Sequence, residues 1–450
     1  MMPQPIISVS GLRGVIGHSL TPDLAVRYAA AFAAQTEPGT IVLTRDGRAT
    51  GGMLADAIRA SLVAMGRAVV DAGVAATPTT GVLIRQYQGA GGIQVSASHN
   101  PAEYNGMKLF GPDGSVLTET IGQGVRRVYE SSEYRWAQHD LIGTARTCPN
   151  STARHLELIL ANIDVPRVRG CRFHVLLDSN HGAGSLLGCL LLRELNCSLT
   201  LLGAEPDGQF SHPPEPIAEN LTEVGAQVVA TGAAVGFCQD PDADRLAVID
   251  ANGVYLGEEY TLALCVDHAL RGRKGPIVTN CSTSRMSADL AQRHGVPLFR
   301  SKVGEAHVVE LMKREGAAFG GEGNGGPIDP RVGFVRDSFV GMAMILDAMA
   351  ARNATLRELA DAIPRYAIHK SKMEFPTDRV TTAWGALADH FAQAKPDRLD
   401  GLRLDWPDRW LLIRASNTEP VVRIVAEASQ ESDAIQLCQQ AEAVLRAIAS

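Results

Sequence analysis

The chain has 450 residues, of which 45% are hydrophobic and 20% are charged, and its net charge of −7 is spread without blocks. These values are typical of a globular protein of roughly two to four domains, and they argue against nucleic acid as the main partner. No apolar run is long enough to cross a bilayer, and the first residues lack the pattern of a signal peptide. The eight cysteines form no C-x-x-C pair, so we expect reduced thiols in a cytoplasmic protein without a membrane partner.

Strand patterns and helix patterns alternate through most of the chain. The predicted strands cover 40–46, 68–73, 91–96, 173–180, 234–240, 245–250 and 276–282, and the predicted helices cover 51–66, 184–195 and 284–295. This alternation predicts parallel sheets with helices on both faces.

The alternation restarts near residue 170 and again near 275, which indicates several α/β units. Segments 146–170 and 365–378 are polar without a core pattern, and we interpret them as linkers. The last part differs, with two strand patterns at 409–416 and 421–429 and a helix from about 431. This pattern is typical of a small mixed α+β unit.

The stretch GGIQVSASHNPAEYNGMKLF (91–110) places Ser98 just after a strand end, where open α/β sheets build their sites. Asn100 and Pro101 stop regular structure, and Lys108 follows on the next short strand. A serine held there is a candidate nucleophile or phosphate carrier. The alternative is a loop serine with a capping role, and this stretch alone leaves both open.

The stretch QDPDADRLAVID (239–250) brings Asp240, Asp242 and Asp244 together in a short loop between two strands. Unpaired carboxylates would repel one another, and Mg²⁺, which takes oxygen ligands, would relieve the repulsion. An EF-hand is excluded, because its sixth position is Arg245 and its twelfth is Ala251. The remaining alternative is a solvated acidic turn.

The stretch FGGEGNGGPIDP (319–330) contains a G-x-G-x-x-G match, but Pro327 and Pro330 prevent the helix that a dinucleotide site requires. We interpret it as a glycine loop that presents Glu322 and Asn324, whose polar groups can form hydrogen bonds with sugar hydroxyls. A tight turn with incidental polarity explains the same spacing.

The stretch RASNTEPVVR (414–423) gathers hydrogen-bond donors around a turn. Guanidinium groups, hydroxyls and loop N–H groups together suit a phosphate. The donors are Arg414, Ser416, Asn417, Thr418 and Arg423. The alternative is an Asx-type or ST-type turn with surface arginines.

Four further residues are candidates for a role in the site, although each taken alone is typical of an ordinary surface or loop residue. They are Arg13 in SGLRG, Lys302 in RSKVGEAH, His99 beside Ser98, and His181, which we interpret as structural.

Together and in this order, SASHNP, DPDADR, GEGNGG and RASNTEP resemble the phosphoserine, metal, sugar-recognition and phosphate-binding loops of the α-D-phosphohexomutase family. SGLRG and SKVGEAHVVELMKREG also look like family segments, so the resemblance covers nearly the whole chain. It implies three related mixed α/β-sheet domains and a C-terminal α+β domain around a central cleft. The expected domains are 1–148, 149–251, 252–366 and 367–450.

The resemblance also implies the chemistry. Ser98 would carry a phosphoryl group and, with Asp240, Asp242 and Asp244, hold Mg²⁺. The loop at 414–423 would clamp the substrate phosphate, and Glu322 and Asn324 would bind the sugar. The cations and the imidazole around the transfer point would be Arg13, His99, Lys108, Arg245 and Lys302. The expected reaction interconverts hexose 1-phosphate and 6-phosphate, with hexose 1,6-bisphosphate as intermediate and activator.

The sugar loop departs from a common family form, Glu-x-Ser-Gly-His, because Asn324 stands for the serine and Gly326 for the histidine. The form GEGNGG looks like that of archaeal-type phosphoglucosamine mutases, so glucosamine phosphate is the favoured substrate. Phosphomannomutase or phosphoglucomutase activity is the nearest alternative. A serine-dependent phosphatase and a non-catalytic sugar-phosphate sensor are alternatives from other classes.

Overall fold

The computed structural model describes residues 5–8, 11–416 and 420–449, and its strands form four sheets. The first sheet has seven strands in the order β1-β2-β6-β5-β3-β4-β7. These strands are β1 (Ile6–Ser8), β2 (Gly11–Val15), β3 (Ile41–Arg45), β4 (Val69–Val74), β5 (Gly91–Val95), β6 (Tyr104–Phe110) and β7 (Ala145–Thr147). The helices of this unit are α1 (Pro22–Gln35), α2 (Gly51–Ala64), α3 (Thr77–Gln86) and α4 (Glu119–Ser131).

The second sheet has the order β11-β10-β8-β9, in which β8 pairs in parallel with both neighbours and β11 is antiparallel. Its strands are β8 (His174–Asp178), β9 (Ser198–Leu202), β10 (Val235–Gln239) and β11 (Leu246–Asp250). Its helices are α5 (Ala153–Leu160), α6 (Val165–Cys171), α7 (Gly184–Glu194) and α8 (Thr222–Thr231).

The third sheet repeats this plan in the order β13-β12-β14-β15, again with one antiparallel edge strand. Its strands are β12 (Ile277–Asn280), β13 (Leu298–Ser301), β14 (Phe319–Glu322) and β15 (Gly326–Ile328). Its helices are α9 (Glu258–Gly272), α10 (Met286–Arg293), α11 (Glu305–Glu315), α12 (Ser338–Arg352) and α13 (Leu356–Asp361).

The fourth sheet is antiparallel throughout, in the order β16-β20-β19-β18-β17. Its strands are β16 (Ala367–Glu374), β17 (Lys395–Asp397), β18 (Leu402–Asp405), β19 (Trp410–Ala415) and β20 (Val421–Ala428). Two helices accompany them, α14 (Val380–His390) and α15 (Glu431–Ala449). The four mixed or antiparallel sheets confirm the predicted α/β architecture with a distinct C-terminal α+β unit.

The second and third units share one hydrophobic core, whereas the first and fourth units each have their own. Helix α12 is buried on all sides from Ser338 to Met349 and packs within the shared core. A helix that is apolar all round must lie inside the protein, and its polar end needs a cap. Asp337 supplies the cap by accepting the N–H groups of Phe339 and Val340.

The predicted strands and helices coincide with observed elements whose ends differ by at most two residues, but both predicted linkers are wrong. Segment 146–170 contains α5 and most of α6, because His155 and Ile159 bury one face of α5 in the core. Segment 365–378 contains β16, which pairs along its whole length with β20. Its exposed residues, Lys370, Lys372 and Glu374, alternate with half-buried ones, so the strand covers the core with one face only.

Across the described residues, no helix combines the length and the apolar character that a membrane-spanning segment requires.

Candidate active site

Three of the loops that the sequence singled out occupy the same topological position in three different sheets. Each loop follows a strand that pairs in parallel with one neighbour and precedes a strand that pairs with it antiparallel. The loops are 96–103 after β5, 240–245 after β10 and 323–325 after β14. Open α/β sheets bind ligands at this carboxyl edge of the strands, and here hydrogen bonds join the three edges into one site.

Ser98 lies at the centre of this site. Its side chain is buried, and its Oγ donates a hydrogen bond of 2.8 Å to Asp240 Oδ2. The Nδ1 atom of His99 lies 3.3 Å from the same Oγ. The backbone of Ser98 is left-handed, with φ of 51°, an unfavourable conformation for a serine that the surrounding contacts must hold.

The loop around Ser98 is held by Arg48, a residue that the sequence analysis did not select. Arg48 is 2% exposed. Its Nε donates to Asp46, and its two terminal nitrogens donate to four backbone carbonyl groups. These are the carbonyl groups of Ser98, Asn100, Pro101 and Tyr104, at 2.6–3.0 Å. All five N–H groups of one guanidinium therefore fix the conformation of the serine loop.

Asp46 supports the same loop through a second path. It accepts a hydrogen bond of 2.6 Å from the Ser96 hydroxyl, which in turn accepts the N–H of Ser98 at 2.9 Å. The sequence contains a signal for both residues, because Asp46 and Arg48 come directly after β3, and β3 is the parallel neighbour of β5. Polar residues at adjacent strand ends meet at one edge.

The three aspartates are buried, and one carboxylate oxygen from each lies within 4.8 Å of the others. Burial and the charges of Asp242 and Asp244 raise the pKa of Asp240 well above its ordinary value. Among the described residues, no donor reaches Oδ1 of Asp242 or Oδ1 of Asp244, although both atoms are buried. Unpaired buried carboxylate oxygens that converge in this way fit a divalent cation with oxygen ligands, and the solvated acidic turn is excluded.

Lys108 supplies the counter-charge within the protein. Its Nζ donates to Oδ2 of Asp242 and, at 2.7 Å, to Oδ2 of Asp244. Burial lowers the pKa of Lys108, but the two carboxylates outweigh burial and raise it. Lys108 is therefore an ammonium group that occupies one oxygen of each carboxylate and leaves the other free.

Arg13 and Arg245 lie close to His99 of the serine loop. Arg13 donates to Asn100 Oδ1 at 3.2 Å, and burial lowers its pKa. Burial and the nearby charges of Arg245 and Arg13 lower the pKa of His99 to about 3, so its imidazole is neutral at pH 7. Glu215, from the loop before α8, lies 3.8 Å from His99 and 3.6 Å from Arg245.

Glu322 ends β14 and is 4% exposed. Its Oε1 accepts from Asn280 at 2.7 Å and from the N–H of Gly304 at 3.0 Å, and its Oε2 accepts from Arg336 at 3.1 Å. Asn324 is half-buried, and no donor among the described residues reaches its Oδ1.

Arg336, which lies outside the four sequence motifs, joins the end of β14 to the loop at 240–245. Besides Glu322, it donates to Asp244 Oδ2 at 2.7 Å, and its Nε lies 3.4 Å from Glu305. It is 8% exposed and precedes the cap of α12. No motif marked it, because its partners are 14 and 92 residues away in the chain.

The fourth unit contributes the predicted phosphate loop at the turn from β19 to β20. Arg414 and Arg423 are cross-strand partners on these strands, so two guanidinium side chains start side by side. Ser416 begins the turn and donates its N–H to Val421 at 2.8 Å. Asn417 and Thr418 lie outside the described residues.

Asp400 connects this loop to the third unit. Its Oδ2 lies 2.8 Å from Arg414 Nε and accepts the N–H of Val303 at 2.9 Å. Lys302, the neighbour of Val303, is exposed between β13 and α11. His181 pairs with Asp207 at 2.9 Å.

The chain matches models of one protein family over nearly its whole length. Family models described as phosphoglucomutase/phosphomannomutase α/β/α domains I, II and III match residues 5–136, 153–253 and 258–366. The C-terminal domain model of the same family matches residues 377–444.

Among curated relatives, a phosphoglucomutase/phosphomannomutase of Thermococcus kodakarensis is 36% identical and covers 94% of both chains. A probable phosphoglucosamine mutase of Pyrococcus horikoshii is 32% identical, covering 98% of this chain and 97% of that protein.

Among solved structures, a phosphoglucomutase/phosphomannomutase family protein of Burkholderia thailandensis has a TM-score of 0.87 at 28% identity, covering 100% of this chain and 98% of that one. A putative phosphomannomutase of Thermus thermophilus has a TM-score of 0.85 at 25% identity, covering 99% of this chain and 100% of that one. With four consecutive domain matches and relatives aligned along their whole length, the chain belongs to the phosphoglucomutase/phosphomannomutase family.

Proposed function

We propose that the protein is a phosphohexomutase, which interconverts hexose 1-phosphates and 6-phosphates through a phosphoserine at Ser98, with glucosamine phosphate as its preferred substrate. The observation that carries the proposal is the hydrogen bond of 2.8 Å between Ser98 Oγ and Asp240 in the aspartate cluster. This places the candidate phosphoryl carrier against the only group of three or more metal-ligand side chains found among the described residues.

In this proposal, Asp240, Asp242 and Asp244 hold Mg²⁺, and a phosphoserine oxygen completes the protein ligands. The bound cation would offset the charge of the phosphoryl group and draw electrons from it, which favours transfer. The unpaired Oδ1 atoms of Asp242 and Asp244 support this ligand set, since Lys108 holds their Oδ2 atoms.

The first transfer breaks the bond between phosphorus and Ser98 Oγ and forms a bond between phosphorus and O6 of the bound hexose 1-phosphate. The O6 hydroxyl gives its proton to a base in the site, and Ser98 Oγ takes up a proton. The 1,6-bisphosphate then turns over. The second transfer breaks the bond between phosphorus and O1 and forms a bond between phosphorus and Ser98 Oγ, while Ser98 Oγ gives up its proton to the base and O1 takes up a proton. Arg13, Lys108 and Arg245 oppose the negative charge that each transfer spreads over the phosphoryl oxygens.

The far phosphate of the substrate binds in the fourth unit. Arg414 and Arg423 present two guanidinium groups from neighbouring strands, and Ser416, Asn417 and Thr418 add hydroxyl and amide donors. Lys302 is exposed next to the Val303–Asp400 contact and adds a positive charge there. Glu322 and Asn324 bind the sugar hydroxyls, which lie between the two phosphates.

Two observations favour glucosamine phosphate. The sugar loop reads GEGNGG, with Asn324 and Gly326 at the positions of the family serine and histidine. Several curated relatives that align over more than 94% of the chain are named probable phosphoglucosamine mutase. Mannose and glucose phosphates differ at one or two contacts and are the nearest competing substrates.

A coupled assay tests the proposal with glucosamine, glucose and mannose 1-phosphates in the presence of Mg²⁺. We expect 6-phosphate to form, with the highest kcat/KM for glucosamine 1-phosphate and stimulation by trace hexose 1,6-bisphosphate. Release of inorganic phosphate without bisphosphate stimulation would identify a phosphatase instead. Binding of sugar phosphate without turnover, and without phosphate on Ser98 by intact-mass measurement, would identify a sensor.

A further inference from the structure

Gly326 stands where a common family form of the sugar loop has histidine, and its backbone does not require glycine. It lies in the extended strand β15 and is absent from the set of residues with positive φ, unlike its neighbour Gly325. An L-residue could therefore adopt its conformation. The need for glycine at 326 must come from what surrounds it.

The surroundings of Gly326 are the side chain of Arg336. A Cβ built on Gly326 would lie 2.8 Å from Arg336 Cγ, 3.1 Å from its Cβ, and closer still to its Cδ. These three atoms are the nearest heavy atoms to that position. Arg336 thus occupies the volume that a histidine at 326 would need.

Arg336 cannot simply swing aside, because acids fix its guanidinium on several sides. It bonds to Glu322 in the sugar loop at 3.1 Å and to Asp244 in the metal loop at 2.7 Å, and it pairs with Glu305 at 3.4 Å. The N–H of Arg336 also donates to Glu305 at 2.9 Å. Moving the guanidinium would take a charged partner away from the buried carboxylates of Glu322 and Asp244, which is costly.

We infer that Arg336 is a positioning residue of the sugar site, which fills the volume that a histidine at 326 would need and holds Glu322 against Asp244. Gly326 and Arg336 therefore depend on each other, because only glycine at 326 leaves room for the arginine side chain. The guanidinium couples the loop that recognises the sugar to the loop that holds the metal. This role rests on the proposed mutase function.

This role predicts that removing the guanidinium weakens the binding of the sugar phosphate and strengthens the binding of Mg²⁺. In Arg336→Ala, Glu322 keeps Asn280 and Gly304 on Oε1 but loses the charged donor to Oε2, so we expect KM for glucosamine 1-phosphate to rise at least tenfold. Asp244 loses a neutralising charge, so we expect Mg²⁺ to bind at least threefold more tightly to the unphosphorylated protein in calorimetry. General damage to the fold would weaken both ligands together.

The pairing with Gly326 is tested by a double-mutant cycle. Gly326→His should lower kcat/KM at least tenfold in the wild-type background, because the imidazole displaces Arg336. In the Arg336→Ala background, the same substitution should cost less than threefold, because the volume is vacant. Arg336→Lys keeps a charge in a folded protein, but one ammonium cannot hold Glu322 and Asp244 as the planar fork does, so KM should still rise.

Arg331→Ala is the matched control, because Arg331 lies on the same connection between β15 and α12 but is exposed and pairs with Asp329. It should change neither KM nor Mg²⁺ affinity. The inference is overturned if Arg336→Ala keeps KM within twofold, or if Gly326→His is equally costly in both backgrounds. If the wild-type protein turns over no hexose phosphate, the proposed function fails. The pairing of Gly326 with Arg336 can still be tested in that case, by measuring Mg²⁺ affinity and by running the same double-mutant cycle on the free energy of unfolding.

Discussion

The Ser98 hydroxyl donates to the Asp240 carboxylate over 2.8 Å, although 142 residues separate the two in the chain. Ser98 follows β5 of the first sheet and Asp240 follows β10 of the second, so the hydrogen bond joins two units with separate cores. A phosphoryl group on Ser98 would enter the aspartate cluster directly. This adjacency underlies the proposed mechanism.

Ser98→Ala should abolish mutase turnover without loss of the fold, because it removes the oxygen that carries the phosphoryl group. Intact-mass measurement after incubation with hexose 1,6-bisphosphate should show one phosphoryl group on the wild-type protein and none on the variant. Ser131→Ala, at an exposed helix end, is the control and should behave as wild type. Near-normal turnover of Ser98→Ala would contradict the mechanism.

Lys108→Met should make the protein depend on Mg²⁺ for its stability. Without Lys108, the buried carboxylates of Asp242 and Asp244 lose their counter-charge, which costs about 3–5 kcal/mol when one partner of a buried pair is removed. Chemical denaturation should show this loss in EDTA and a much smaller one in Mg²⁺, because the cation takes over the neutralisation.

The control for this experiment is Lys313→Met, which breaks a half-exposed pair with Asp113. Such a surface pair contributes about 0–1 kcal/mol, and its loss should be the same with and without Mg²⁺. An equal loss for Lys108→Met in EDTA and in Mg²⁺ would show that the aspartates do not bind the cation.

Arg48→Lys should lower kcat far more than it lowers stability. A lysine has one ammonium group and cannot reach Asp46 and four carbonyl groups at once, so the Ser98 loop loses its fixed conformation. A misplacement of about 1 Å can cost on the order of 10²-fold in rate. Steady-state kinetics measure this effect, with Arg27→Lys at an exposed helix position as the control. If kcat of Arg48→Lys stays within twofold of the wild-type value, Arg48 does not position the Ser98 loop for catalysis.

His212 should make stability depend on pH. Its Nε2 lies 2.7 Å from Asp178; burial lowers the pKa of His212, but this carboxylate outweighs burial and raises it. A raised pKa means that the pair stabilises the fold fully below the ordinary histidine pKa of about 6.5, and that this stabilisation is lost as pH rises through the folded-state pKa.

Chemical denaturation over a pH series should therefore show the largest difference between wild type and His212→Asn at about pH 6, with a smaller difference above about pH 8. The loop that contains His212 also contains Glu215, which lies close to His99 and Arg245. His212→Asn should therefore disturb these contacts and show a lower kcat than the wild-type protein. A difference in stability that is constant with pH would show that the imidazole is neutral in the fold.

Local patterns in the sequence were sufficient for most secondary structure. Runs such as TIVLTRD and RLAVID are short, β-rich and bounded by turn residues, and they form β3 and β11. The same approach failed for α5 and β16. Each buries only one face against an element distant in sequence, so the local pattern is too polar to reveal it.

The sequence by itself determined the chemistry of the loops, because that chemistry depends on residue type and close spacing: three aspartates in five residues, a serine before Asn-Pro, and two arginines across a turn. Only the tertiary structure decided which residues meet. Arg48 and Arg336 act on loops 50 and 92 residues away, and the volume at Gly326 is filled by a side chain from another element. Such contacts arise where strand edges of different units converge, and no local spacing encodes them.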